Sequence, residues 1–286
     1  MILKNYSICG NTPLVKISKY IYGKLETYNP TGSVKDRMVN YIVFEAIEKK
    51  YITESSILCE ATSGNTGISL SSIAASLNLS CKIFMPSNMS EERKQMMQVY
   101  GAEIIEAPPN DFEEAISMRD NFLSKNENAW SPLQFSNPNN IKCHREITGP
   151  EIYHQVRKEV GKDWNAFIHG AGTGGTIEGI RQYINRFYLD TKVCMTIPSE
   201  SPHGIQGIGD GKDFLANPND MYDTFKIKTS DAIQKSRDFA KETGLLVGIS
   251  SGANILAAEE YLNKYDVNGI IVTMLCDRGE RYMSLY

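Results

Sequence analysis

Short apolar, β-branched runs alternate with stretches of helical period along nearly the whole chain, and this alternation most constrains the fold. Residues 22–28, 56–60, 81–85, 103–107, 166–169, 192–197 and 270–275 read as strands. The segments 66–77, 90–100, 111–124, 149–160, 176–187, 230–243 and 251–262 read as helices. A further helix follows Ser33, where Val39, Ile42, Val43, Ala46 and Ile47 fall on one face; Ser33 and Asp36 resemble its capping box. Strand and helix in alternation require crossover connections, hence an α/β fold with mainly parallel sheet and helices on both faces. Ligands in such folds bind beyond the carboxyl ends of the strands, so the loops running from strand to helix carry the chemistry.

With 286 residues, the chain exceeds the usual size of about 100–200 residues for one domain, and two domains are expected. A net charge of −4 argues against a nucleic acid partner, which needs clustered lysine and arginine. The six cysteines form no C-x-x-C, and several sit in apolar runs such as "ILCE" and "KVCMTIP", as buried thiols of a reducing compartment do. No run approaches 18 apolar residues and the start shows no signal peptide, so a cytoplasmic protein is expected. His144, His154, His169 and His203 have no metal-ligand spacing; they read as structural, and no metal is expected.

Four strand-to-helix loops are rich in small and hydroxyl residues: "NPTGSVKD", "EATSGNTG", "GAGTGGT" and "VGISSGA". The third fits G-x-G-x-x-G through Gly170, Gly172 and Gly175, with Asp190 about twenty residues on, so a dinucleotide turn and a cradle for another phosphate both remain open. In the second loop, Thr62, Ser63, Asn65 and Thr66 offer donors beside helix-start N–H groups, a receptor for a carboxylate or simply a capped helix. Lys35 stands in the first turn of its helix, where it opposes the macrodipole. Facing a pocket, such a lysine has a depressed pKa and a neutral amine able to act as nucleophile or base. Phosphate loop, carboxylate receptor and reactive lysine together suit pyridoxal phosphate and an amino acid better than a nicotinamide dinucleotide.

The blocks "GNTPLV", "NPTGSVKDR", "EATSGNTGISL", "QFSNPNN", "TGPEI", "GTGGT", "GISSGAN" and "CDRGERYMS" resemble, in order and spacing, those of fold-type II pyridoxal-phosphate enzymes of the cysteine synthase (O-acetylserine sulfhydrylase) family. The tail motif is closest to the B-type. The resemblance runs nearly end to end. It implies two open, mainly parallel twisted sheets flanked by helices, as in the tryptophan synthase β-like fold. A smaller domain, 35–140, would carry the carboxylate loop, and a larger one, 1–34 with 141–286, the phosphate loop, with the active site between them. Pyridoxal 5′-phosphate would be held covalently by Lys35, its ring oxygen by Asn65, and its phosphate by Gly172, Thr173, Gly174, Gly175 and Thr176. Ser250 is the best match to the residue beside the pyridine nitrogen, with Cys276 and Asp277 as alternatives. Thr62, Ser63, Gly64, Thr66 and Gln134 would bind the substrate carboxylate.

The activity implied is β-replacement on O-acetyl-L-serine by sulfide or thiosulfate, through an α-aminoacrylate intermediate, giving L-cysteine and acetate. O-phosphoserine sulfhydrylase, cystathionine β-synthase-like and 2,3-diaminopropionate synthase-like enzymes share the same cofactor residues and remain alternatives. No arginine lies between Ser201 and Gly211, on the loop expected to line the entrance, which favours an acetylated over a phosphorylated donor; Arg278 and Lys212 are the alternative cations for a phosphate partner. The resemblance also implies a homodimer, and leaves docking of a serine acetyltransferase tail open. No membrane partner is expected.

Overall fold

The computed structural model describes residues 8–187, 189–209, 215–266 and 268–286. In chain order its strands are β1 (Leu14–Lys16), β2 (Ile21–Leu25), β3 (Ile57–Ala61), β4 (Ser80–Pro86), β5 (Glu103–Ala107), β6 (Ala129–Trp130), β7 (Ala166–Gly170), β8 (Lys192–Pro198), β9 (Asp223–Ile227) and β10 (Ile271–Leu275). The α-helices are α1 (Lys35–Glu48), α2 (Asn65–Leu77), α3 (Glu91–Val99), α4 (Phe112–Lys125), α5 (Pro138–Cys143), α6 (Gly149–Val160), α7 (Gly175–Arg186), α8 (Thr229–Thr243) and α9 (Ile249–Tyr265). Lys212 lies outside the described residues, as do Asp210 and Gly211 of the expected entrance loop.

The chain divides into two compact units. The first holds Asn29–Thr31 and Lys35–Asn139, together with Ile8 and Cys9. Its sheet runs β5-β4-β3-β6, with every pairing parallel. Leu58, Cys59, Glu60 and Ala61 of β3 are all fully buried, as befits a central parallel strand covered on both faces. One face packs Cys59, Ala61 and Phe84 against Ala115, Phe112 and Phe122 of α4.

The second unit holds Gly10–Tyr28, Gly32–Val34 and Asn140–Tyr286. Its sheet runs β1-β2-β10-β7-β8-β9; β1 pairs antiparallel with β2 and all other pairs are parallel. Alternation along β7 and β10 feeds two cores. Ala166, Ile168 and Ile271 face Ala253, Ala257 and Tyr261 of α9. Phe167, Val272 and Met274 join Ile177, Ile180 and Ile184 of α7 and Ile152 and Val156 of α6.

The structure departs from the sequence expectation in a few places. The strand expected over 22–28 ends at Leu25, where Glu26–Tyr28 turn into a 3-10 helix. Strands β1, β6 and β9 were not expected. The helix expected to start at Gly149 continues instead from α5 through a π-helical turn, His144–Thr148, closed by the bond from Gly149 N–H to His144 O. That widened turn admits Pro150, which lacks the N–H an α-helical bond would use. Asp36 reaches back beyond the expected capping position: its carboxylate accepts the N–H of Thr31 at 2.8 Å.

Helix α8 is capped from a distance. Its N-cap is Lys228, whose side chain has no acceptor to offer, and Glu200, after β8, accepts the Thr229 N–H at 2.6 Å while Ser199 Oγ donates to its other oxygen at 2.6 Å. These bonds to Ser199 and Thr229 lower the Glu200 pKa from an ordinary 4.5 to about 2. A depressed carboxyl pKa contributes stability above its unfolded value, lost as pH falls through the folded one. Glu200→Gln is therefore expected to lower the unfolding temperature at pH 7. The gap from the parent should close as pH falls from about 4.5 towards about 2. Thermal unfolding across that range is the check, and a pH-independent gap would contradict it.

Candidate active site

In the first unit, Lys35 is the first residue of α1. The turn before it is anchored by Asp36, 1% exposed, whose carboxylate accepts from Thr31 N–H, from Thr31 Oγ1 at 2.6 Å and from Ser69 Oγ of α2 at 2.5 Å. An acidic residue in the first helical turn also offsets the unfavourable position of Lys35 in the macrodipole. Together these bonds fix the backbone from which Lys35 projects.

The loop 62–64 leaves β3 and enters α2, whose N-cap is Gly64 and whose first residue is Asn65. A glycine has no side chain with which to cap, so no cap side chain competes with an anion at this helix start. Thr62 Oγ1 accepts the Gly64 N–H at 3.3 Å, and Arg93 Nη1 donates to Ser63 O at 3.0 Å. Thr66, 2% exposed, donates from Oγ1 to Gln134 Oε1 at 2.6 Å. Of the residues expected to hold a carboxylate, Thr62, Ser63, Gly64, Thr66 and Gln134, the structure thus gathers all five around one helix start.

In the second unit, Gly172, Thr173 and Gly174 connect β7 to α7, which begins at Gly175 and Thr176. Gly174 has φ +84°, a left-handed conformation, and a methyl group there would lie 2.6 Å from Ala216 N. A Cβ on Gly172 would lie 2.6 Å from Gly207 O, and one on Gly175 2.1 Å from Asn140 Oδ1. The loop is also braced by Gly209 N–H to Ala171 O and Leu215 N–H to Thr173 O. Asn140 Nδ2 donates to Thr173 Oγ1 at 3.0 Å, and His144 Nε2 stands 3.2 Å from Thr176 Oγ1, its Nδ1 2.9 Å from Thr148 Oγ1. Both loop hydroxyls are therefore held by residues of the α5–π segment. The sequence reading assigned no role to Asn140 and took His144 as merely structural; the "NPNN" block was the only signal.

Asp190 lies on the turn between α7 and β8, at the opposite end of the sheet from the glycine loop, and pairs with Lys192 at 2.6 Å. An acid that binds a ribose beside a glycine turn belongs at the loop's own end. The dinucleotide reading fails on this placement.

Ser250, 4% exposed, is in the first turn of α9; a Cβ on Gly207 would lie 3.7 Å from its Oγ. Cys276 N–H donates to Ser251 Oγ at 2.9 Å, and the buried Asp277 carboxylate accepts the Tyr282 hydroxyl. Asn254 Nδ2 donates to Cys276 Sγ at 3.5 Å. Arg278 donates from Nε to Thr27 O at 2.9 Å. Burial pushes the thiols of Cys59, Cys81 and Cys194 up to about 12, so these cysteines are inert packing groups. No group of three or more His, Cys, Asp or Glu among the described residues is placed to hold a metal ion, and no described helix is long and apolar enough to cross a membrane.

Residues 7–277 match the family model described as "Pyridoxal-phosphate dependent enzyme". The chain belongs to the pyridoxal-phosphate-dependent enzyme family. A probable cysteine synthase of Bacillus subtilis is 34% identical to this family member, over 99% of this chain and 97% of its own length. A hydrogen sulfide-producing enzyme of Fusobacterium nucleatum, solved with an α-aminoacrylate intermediate, has a TM-score of 0.90 at 35% identity, over 97% of this chain and 89% of that one. An O-acetylserine-dependent cystathionine β-synthase of Helicobacter pylori has a TM-score of 0.88 at 30% identity, over 99% and 98%. The fold is thus that of the fold-type II members of the family, and the cofactor is pyridoxal 5′-phosphate. The glycine loop fits its phosphate. Each of its three glycines would carry a Cβ into a neighbouring backbone or side chain, and the loop ends at the start of a 12-residue helix, where N–H groups and dipole favour an anion.

Proposed function

We propose that this enzyme is a cysteine synthase, which replaces the acetoxy group of O-acetyl-L-serine by sulfide to give L-cysteine and acetate. The observation that carries this reading is the construction of the α2 start, where Gly64, Thr66 and Gln134 assemble donors suited to the carboxylate of a free amino acid. Gly172 to Thr176 would hold the cofactor's phosphate, with Asn140 and His144 orienting the two threonine hydroxyls. Asn65 would donate to the cofactor's ring oxygen, and Ser250 would serve as the neutral partner of its pyridine nitrogen. Bound pyridoxal phosphate supplies an electron sink for the pair left when the Cα–H bond breaks.

The chain's own residues do the rest. Thr62, Ser63, Thr66 and Gln134 grip the carboxylate and so fix which bond at Cα is presented. Lys35 Nζ takes the Cα proton and later returns one to the same carbon. Acetate leaves before sulfide enters, so the two substrates follow ping-pong kinetics.

Loss of the Gln134 amide removes a hydrogen bond to a charged group, worth about 1.5–3 kcal/mol. Gln134→Ala is therefore expected to raise KM for the amino-acid substrate by about 10–100-fold with kcat nearly unchanged. Initial-rate kinetics check it, and an unchanged KM would contradict the assignment. The function itself is tested by offering O-acetyl-L-serine and O-phospho-L-serine, each with sulfide, thiosulfate and homocysteine, and identifying products. Cysteine from O-acetyl-L-serine and sulfide is expected as the fastest reaction. Turnover confined to O-phospho-L-serine would make it an O-phosphoserine sulfhydrylase, and confined to homocysteine a cystathionine β-synthase-like enzyme. The homodimer implied by the resemblance and the cytoplasmic setting expected from the sequence belong to the same proposal.

A further inference from the structure

Thr62 leaves β3 with its backbone fixed: its N–H donates to Phe84 O at 3.0 Å and continues the ladder between β3 and β4. Its side chain is fixed as well. A Cβ on Gly67 of α2 would lie 3.0 Å from Thr62 Cγ2 and 2.7 Å from Met97 Cε of α3, so the threonine methyl and the methionine both rest on a bare glycine. A β-branched side chain is stiff about χ1, and seating the methyl there selects where the hydroxyl stands. Thr62 is 4% exposed, and its Oγ1 accepts the Gly64 N–H at 3.3 Å while donating to none of the described residues. A hydroxyl carries one donor besides its acceptor sites, and burying that donor without an acceptor is costly, so the Thr62 proton points to an acceptor bound from outside.

A second, independent feature fixes the Gly64 N–H. It shares one planar peptide with the Ser63 carbonyl, and the two point in opposite directions. That carbonyl accepts Arg93 Nη1 at 3.0 Å, from a side chain only 5% exposed, and a charged donor makes the bond stronger than a neutral one would be. Arg93 itself stands on a firmly seated helix. Lys94, the next residue of α3, donates from Nζ to Ser87 O and to Glu106 Oε1, each at 2.6 Å, and Met97 is fully buried against Gly67. Were the peptide to flip, the Ser63 carbonyl would replace the Gly64 N–H in front of Thr62 Oγ1 and accept its proton. The hydroxyl would then be satisfied within the loop and lost to a substrate.

We propose that Arg93 is a positioning residue: by holding the Ser63 carbonyl it locks the Ser63–Gly64 peptide, and through the Gly64 N–H it aims the Thr62 hydroxyl proton at the substrate carboxylate. This role rests on the reading of Thr62 as a substrate-binding residue. Arg93 acts through the loop and not by touching the reacting atoms, so its effect falls on affinity for the amino acid and not on the chemical step.

The test compares Arg93→Met, Arg93→Lys, Thr62→Val, and Arg93→Met combined with Thr62→Val, all as holoenzyme. Measured with O-acetyl-L-serine are KM and kcat, the dissociation constant by visible titration, cofactor content and thermal unfolding. Thr62→Val and Arg93→Met are each expected to raise KM and the dissociation constant about tenfold or more, with kcat within about twofold and cofactor content unchanged. Arg93→Lys, whose ammonium can still donate to the Ser63 carbonyl, should recover part of the affinity that Arg93→Met loses. Arg93→Met on top of Thr62→Val should add almost nothing, since both act through one hydroxyl. If Thr62→Val weakens binding and neither Arg93 variant does, or if the two effects simply add, the positioning role is wrong. If neither Arg93 variant folds, the residue is a stability element and the proposal falls. If Thr62→Val itself leaves binding unchanged, the substrate-site reading fails first.

Discussion

Replacing Lys35 by Ala is expected to lower kcat by about 10³-fold or more, the usual worth of a positioned base that also serves as a covalent anchor. The first turn of α1 should survive, because Asp36 fixes it through its bonds to Thr31 and Ser69. Unfolding temperature is therefore expected to stay near that of the parent, and an added small primary amine should restore part of the rate by taking the proton that Lys35 Nζ no longer takes. Steady-state kinetics with and without the amine provide the check. A variant retaining more than about a tenth of parental kcat would remove Lys35 from the chemistry.

The next largest effect is expected at Gly174. An alanine there must hold φ near +84° and place its methyl 2.6 Å from the backbone nitrogen of Ala216. Left-handed strain of about 1–3 kcal/mol is compounded by a clash with backbone that cannot swing aside. The loop is tied on both sides, by Gly209 to Ala171 and by Leu215 to Thr173, so the strain cannot dissipate locally. Gly174→Ala should lose most of its cofactor on dialysis and unfold several degrees lower, whereas Thr173→Val, which removes one hydroxyl, should weaken cofactor binding only about tenfold. Cofactor content by absorbance and thermal unfolding distinguish the two. Full retention of cofactor by Gly174→Ala would displace the phosphate from this loop.

The α/β alternation is legible because the central strands are buried on both faces and so read as apolar runs: Ala166–Gly170 and Ile271–Leu275 are buried at every residue. The edge strands escape for the converse reason. In β9, Asp223–Ile227, only Phe225 and Ile227 are buried, and β6 is two residues long. The pair Gly149–Pro150 looks like a helix start, yet Gly149 is there because a Cβ would meet Tyr183 at 2.7 Å, and the proline is absorbed by the π-turn. Among site residues, the glycine and hydroxyl loops announce themselves by composition. Arg93, Asn140 and His144 do not, because their roles rest on hydrogen bonds to residues 30 to 33 positions away that no local pattern encodes.

The most direct measurement is the visible absorbance of the purified holoenzyme, followed as O-acetyl-L-serine is added and then sulfide. The cofactor band is expected to move to longer wavelength with the first addition, release one equivalent of acetate, and return with the second as L-cysteine appears. A band unmoved by O-acetyl-L-serine, or a shift that sulfide does not reverse, would contradict a two-step β-replacement at this site.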